Sequence, residues 1–166
     1  GGIHRYRFAD TSGPVVLIDL GHQLGTVDID GADLTIDLDE GTIDAYQTLR
    51  GGYSGRYGGM RTWAHLDFDP APVAGGSWGE DLVAAPDTLT NSGDIAGGWV
   101  AFPAGTEEVT VRVALSHVDA DGARSNHAAE LAGKTYDDVL AEAETAWRDL
   151  LGHVRVRGGT DDQRVI

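Results

Sequence analysis

From residue 1 to about residue 120, apolar and polar positions alternate with period 2 in short runs separated by Gly-rich turns. That is the pattern of half-buried β-strands. The clearest stripe is Val109, Val111, Val113 and Leu115, opposite Glu108, Thr110 and Arg112. Between Met60 and Asp69, the residues Met60, Thr62, Ala64, Leu66 and Phe68 share one face. Arg61, Trp63, His65, Asp67 and Asp69 share the other. Upstream, Val27, Ile29, Leu34, Ile36 and Leu38 point one way with acidic residues towards water. Asp30-Gly31 sits between these two runs and predicts a hairpin tip, because a tight turn needs positive φ. Pro14 to Leu20 is almost continuously apolar between Gly13 and Gly21, which predicts a strand buried on both faces. Gly98 to Phe102 adds a short strand before Pro103. Many short strands in this spacing predict a mainly β fold, an antiparallel β-sandwich rather than a parallel sheet.

After residue 120 the period changes to that of helices. A short helix is expected over about Asp121 to Ala132, closed by Gly133 as a left-handed cap. A second runs from Thr135 to about Leu151. The Thr135 hydroxyl can cap its first turn, and Asp137 and Asp138 suit the positive end of its dipole. Val139, Leu140, Ala143, Trp147, Leu150 and Leu151 fall on one face. A short basic strand, His153 to Arg157, is expected to follow. The chain thus divides into a β-sandwich, residues 1–120, and linker helices with an exit strand, residues 121–166. A helix that leaves a β-domain with an apolar stripe is expected to pack against something further. The chain therefore reads as one piece of a larger enzyme.

Net charge narrows the partners. Twelve basic against 27 acidic side chains give −15, and Lys134 is the only lysine. Nucleic acid and anionic membranes are repelled by such a field, since affinity for either rests on Lys and Arg. No run approaches the roughly 18 apolar residues of a membrane span. With no cysteine, disulfides, thiolate metal sites and Cys nucleophiles are all excluded.

Candidate chemistry is sparse. Asp28-Ile29-Asp30-Gly31 and Asp119-Ala120-Asp121-Gly122 each look like half of a calcium loop, but both lack the further acidic positions that the geometry requires. The plainer reading is a hairpin tip and a helix-entry turn. Asp67 and Asp69 share a strand face, which does not by itself make an acid and base pair. No two of the six histidines stand at His-x-His or helical i, i+4 spacing, so no metal ligand and no catalytic residue is assigned. Gly52 to Arg56 lacks the Gly-x-Ser-x-Gly elbow of serine hydrolases. The aromatic Gly-rich stretches 50–59 and 75–80 say more. Sugars are held by aromatic faces and by charged groups on their hydroxyls, which makes Tyr53, Arg56 and Trp78 candidate substrate-binding residues. The alternative is that these rings pack under their own loops or against a neighbouring domain.

Several segments, taken in order, resemble the N-terminal domain of the family 92 glycoside hydrolases, the calcium-dependent exo-α-mannosidases. They are Gly2 to Phe8 with Leu17 to Leu20, Gly51 to Ser54 with Trp63 to Phe68, and Val109 to Ser116. The passage from Ser116-His117-Val118-Asp119 through Ala123, Asn126 and Glu130 is similar as well. So are Asp137, Val139, Ala143, Trp147 and Leu150 with the stretch from Val154 to Gly159. The resemblance implies a sandwich of the supersandwich type joined by helices to an (α/α)6 catalytic barrel. It implies hydrolysis of terminal α-linked mannose in glycans, N-glycans included. This would proceed with inversion between carboxyl groups about 6.5–9.5 Å apart. It also implies Ca²⁺ as cofactor and a secreted, cell-surface or periplasmic protein. The acid, the base and most calcium ligands are then expected beyond Ile166, and most sugar contacts of the sandwich before Gly1. A reading from a different class is a free-standing carbohydrate-binding module.

Overall fold

The computed structural model describes residues 1–23, 25–79, 85–154 and 157–164. Among the described residues, ten strands run in chain order: β1 (Gly2–Arg7), β2 (Val15–Asp19), β3 (Asp28–Asp37), β4 (Thr42–Arg50), β5 (Met60–Asp69), β6 (Ala74–Trp78), β7 (Ala85–Pro86), β8 (Thr90–Gly93), β9 (Gly97–Ala101) and β10 (Glu108–Ser116). A 3-10 turn, Ser54–Tyr57, links β4 to β5. Helices α1 (Ala120–Glu130), α2 (Tyr136–Leu151) and α3 (Asp161–Arg164) follow.

The strands form two antiparallel sheets. The larger has the order β1-β10-β5-β4-β3-β8 and the smaller β2-β9-β6-β7. Their inner faces share one core. Leu34, Ile36, Ile43, Leu66, Phe68, Val109 and Val111 from the large sheet meet Val100 and the following Phe102. The predicted antiparallel sandwich is what the chain forms. No described helix is long and apolar enough to cross a membrane.

Four local expectations are corrected. Asp30-Gly31 is no hairpin tip. Ile29 pairs with Leu49 and Ala32 with Gln47, so two residues of β3 oppose Thr48 alone and form a bulge. Gly31 takes φ +88 there. The extra residue shifts the parity, which lets Ile29 and the Ala32, Leu34 and Ile36 series all be buried. The hairpin lies later, where the Asp37 carboxylate accepts from the Asp39 and Glu40 amides.

The run around β2 is not buried on both faces. As an edge strand it turns Val16 and Ile18 to the core and leaves Leu17 68% exposed. Leu115 does not join the Val109 and Val111 stripe: it is exposed, while Ala114 and Ser116 are buried. Helix α1 covers the outer face at that point. Its Ala123, His127 and Leu131 line up at i, i+4, i+8, with Ala123 and Leu131 buried. Finally, Ala74 to Trp78 is strand, not loop. A Cβ on Gly75 would lie 3.4 Å from Ile36, and one on Gly98 would lie 2.9 Å from Leu34. The glycines let the sheets close together.

The chain separates into two compact units, Gly1–Gly133 and Lys134–Ile166, so α1 belongs with the sandwich. In the second unit, Thr135 and Asp138 form a reciprocal capping box on α2. The expected basic strand at 153–157 lies partly outside the described residues, and His153 stands in a turn after α2.

Candidate functional site

Two places on the sandwich carry chemistry. The first is the Ser54–Tyr57 turn. The Ser54 hydroxyl donates to the Gly51 carbonyl at 2.8 Å and accepts from the Gly51 amide at 3.1 Å, and the Gly59 amide donates to the Ser54 carbonyl at 2.8 Å. A fixed backbone thus displays its side chains outward. Tyr53 is 83% and Tyr57 85% exposed, and the Arg56 guanidinium stands 6.0 Å from the Tyr53 ring centre. Gly52, Tyr53 and Arg56 line an open depression. Aromatic faces beside a guanidinium can hold a polar ring ligand.

Trp78 is elsewhere, on the four-stranded sheet. It pairs across the strands with Gly97, and a Cβ there would meet the indole at 2.2 Å. The indole therefore packs on the Gly97 backbone. The structure brings Tyr53 and Arg56 together and sets Trp78 on the other sheet.

The second place is the charged cluster under α1. From β4 and β5, Asp44 Oδ1 lies 2.8 Å from His65 Nδ1. An ionised carboxylate can only accept, so Nδ1 carries the hydrogen. The other Asp44 oxygen accepts from Arg124 of α1 at 2.7 Å. This carboxylate raises the Arg124 pKa further above its ordinary value, first by the hydrogen bond and then by charge. Asp67 accepts from Arg112 of β10 at 2.9 Å. Its second oxygen lies 2.7 Å from His127 Nε2, off the line of a hydrogen bond. The His65 and His127 rings meet edge to face, 5.1 Å between centres. Both are mostly buried, at 14% and 12% exposure.

Sequence spacing missed this cluster, because the two histidines are far apart along the chain. The signal was there in pieces. His65 and Asp67 are outward positions of one strand, and His127 falls on the Ala123 and Leu131 stripe of α1. Among the described residues, no three His, Asp or Glu side chains are placed to hold a metal ion. The two half-loops noted in the sequence are occupied otherwise. Asp30 pairs with Arg50 and Asp121 with Arg124, while Asp119 caps α1 by accepting from the Gly122 amide. These residues do not fit a calcium site.

The arrangement of strands, turn and capping helix has known counterparts. The family model described as the glycosyl hydrolase family 92 N-terminal domain matches residues 1–116. This chain belongs to that family. The resemblance read from Gly2 to Ser116 is thereby shown.

Solved structures agree on the fold. The family GH92 inverting mannosidase BT2199 from Bacteroides thetaiotaomicron superposes with a TM-score of 0.81 at 21% identity, covering 96% of this chain and 20% of that one. The gh92 family glycosyl hydrolase ccman5 gives 0.80 at 22%, covering 95% and 20%. The family GH92 α-mannosidase BT3965, also from Bacteroides thetaiotaomicron, gives 0.77 at 22%, covering 95% and 21%. This family 92 chain therefore spans about a fifth of the length of the structures it matches. A comparison with curated proteins gives no match.

Proposed function

We propose that this family 92 domain is the supporting part of an exo-α-mannosidase that removes terminal α-linked mannose from glycans, with inversion. The observation that carries the reading is the contrast between its two units. The sandwich has a closed core, whereas α2 carries Leu140, Trp147, Leu150 and Leu151 exposed, Trp147 by 62%. An apolar stripe of that kind is suited to lie against further helices. In this reading the domain braces an (α/α)6 catalytic domain that supplies the general acid and general base. It assigns Ca²⁺ to that domain, because Asp30, Asp121 and Asp119 of the two half-loops are taken up by arginines and a helix cap. The setting is secreted, cell-surface or periplasmic, where glycan chains are met.

Tyr53 and Arg56 wall one side of the sugar pocket in this account, held in place by Ser54. Trp78 contributes only through the ring face turned away from Gly97. Such contacts orient a sugar and exclude water from it, and they carry no proton.

The rival is a free-standing carbohydrate-binding module, favoured by the exposure of Tyr53 and Tyr57. Calorimetry with an α-linked mannobiose separates the two. The supporting reading expects the chain alone to bind more weakly than about 1 mM. Saturable binding well below that, abolished by Tyr53→Ala, would overturn it in favour of the module.

A further inference from the structure

We propose that the outer face of the large sheet carries a further carbohydrate-binding surface, with Tyr46 and Trp63 as its floor and Asp33 and Arg61 as its charged ends. Helix α1 covers only part of this face. Beneath the helix the charges are matched, Asp44 to Arg124 and Asp67 to Arg112. Beyond it, Ser92, Asp33, Tyr46 and Trp63 are successive cross-strand partners on β8, β3, β4 and β5. Their neighbours Leu34 and Ala45 are buried in the sandwich, so this row points outward. The Tyr46 and Thr48 hydroxyls share a hydrogen bond at 2.6 Å, which lays the phenol along β4 over a buried Thr48. The Trp63 ring meets it with 4.9 Å between centres and 42° between planes. Both rings are partly exposed, and the floor is formed without a ligand.

What surrounds this floor is polar and unpaired. Among the described residues, the side chains of Asp33, Thr35, Arg61, Thr90 and Ser92 make no hydrogen bond or ion pair within the protein, and all are exposed. Asp33, Thr35, Thr90 and Ser92 line an open depression of about 450 Å³ along β3 and β8. Arg61 stands on the other side of Tyr46, as the cross-strand partner of Thr48. Two strand spacings, roughly 10 Å, separate β3 from β5. Asp33 and Arg61 are thus too far apart to pair, and the gap suits a ligand longer than one sugar ring.

Each part answers a feature of a glycan. Aromatic rings take the C–H face of a sugar, a carboxylate accepts from neighbouring hydroxyls, and a guanidinium donates to their oxygens. One carboxylate against one guanidinium leaves the surface neutral, while the net charge of −15 on the chain repels anions. The ligand is therefore a neutral oligosaccharide lying across the strands from β8 to β5. The choice of mannose as its sugar rests on the proposed function, whereas the surface requires only hydroxyl-bearing rings. No residue of the 51–59 turn belongs to it.

NMR titration of the full 166-residue chain with linear α-mannotetraose, and separately with cellotetraose, tests this. With saccharide up to about 20 mM, shifts are expected at the amides of Asp33, Tyr46 and Arg61 and at the Trp63 indole, with a Kd weaker than about 1 mM. Asp33→Asn and Arg61→Gln, both at exposed positions, each lower the initial slope of those shifts about tenfold, the loss of one charge-assisted hydrogen bond. Tyr53→Ala leaves the slope unchanged. Shifts with cellotetraose alone keep the surface and count against the mannosidase reading. No shift on this face with either sugar overturns the proposal. So do shifts confined to the 51–59 turn, or shifts that both Asp33→Asn and Arg61→Gln retain in full.

Discussion

Gly97 shows how a single residue decides the placement of an aromatic that sequence alone assigned to a loop. The Trp78 indole occupies the space where a side chain at 97 would stand, and the Ile18 carbonyl lies only 2.8 Å from the same point. The Ile18 carbonyl cannot retreat without disturbing the β2 and β9 pairing, so the indole would have to turn away. Gly97→Ala is expected to destabilise the sandwich by about 1–3 kcal/mol, the usual cost of overpacking. Chemical denaturation followed by tryptophan fluorescence checks it, and an unchanged midpoint would mean that the indole is free to move. The same residue explains why Gly75 to Trp78 read as flexible in the sequence. Glycine normally marks turns, and the sequence does not show that these face a second sheet at close range. Tyr53 and Arg56 were legible for the opposite reason, since their turn is local and its Ser54 bonds span only a few residues.

At the level of elements, periodicity was a good guide wherever neighbours were close in sequence. β5 runs from Met60 to Asp69 and α2 from Tyr136 to Leu151, as their stripes indicate. Where the reading failed, an element further away in the chain was responsible. α1 turned the end of β10 inside out, burying Ala114 and Ser116, and a bulge opposite Thr48 replaced a hairpin.

The capping box of α2 is local, and it makes a pH-dependent element. Asp138 accepts from the Thr135 hydroxyl and the Thr135 amide, in that order of effect, and both hold its carboxyl below the ordinary carboxylate range. A lowered folded value means that the stabilisation is present above about pH 4 and is lost as pH falls below it. The first turn of α2 should therefore fray in acid, seen as loss of helical carbon shifts at Tyr136 to Asp138. Thr135→Ala should bring the same fraying at neutral pH, at a cost of about 1 kcal/mol to the helix. A first turn that is equally ordered at pH 7 and pH 3 would contradict the capping argument.

For the molecule as a whole, the family was readable because the ordered set of segments spans both sheets. No catalytic residue was assigned from the sequence, because no spacing matched a known acid–base or nucleophile pattern. The His65 and His127 cluster was not readable, since only folding brings residues 65 and 127 together. What the fold supplies in the proposed account is a closed sandwich, a displayed aromatic turn and a helix with its apolar stripe exposed. In that account bond cleavage is left to a helical catalytic domain. Release of mannose from an aryl α-mannoside by the purified 166-residue chain, with Ca²⁺ present, tests that division most directly. The account expects no turnover above the uncatalysed background. Sustained turnover that survives repurification would contradict it and place the acid and the base within these residues.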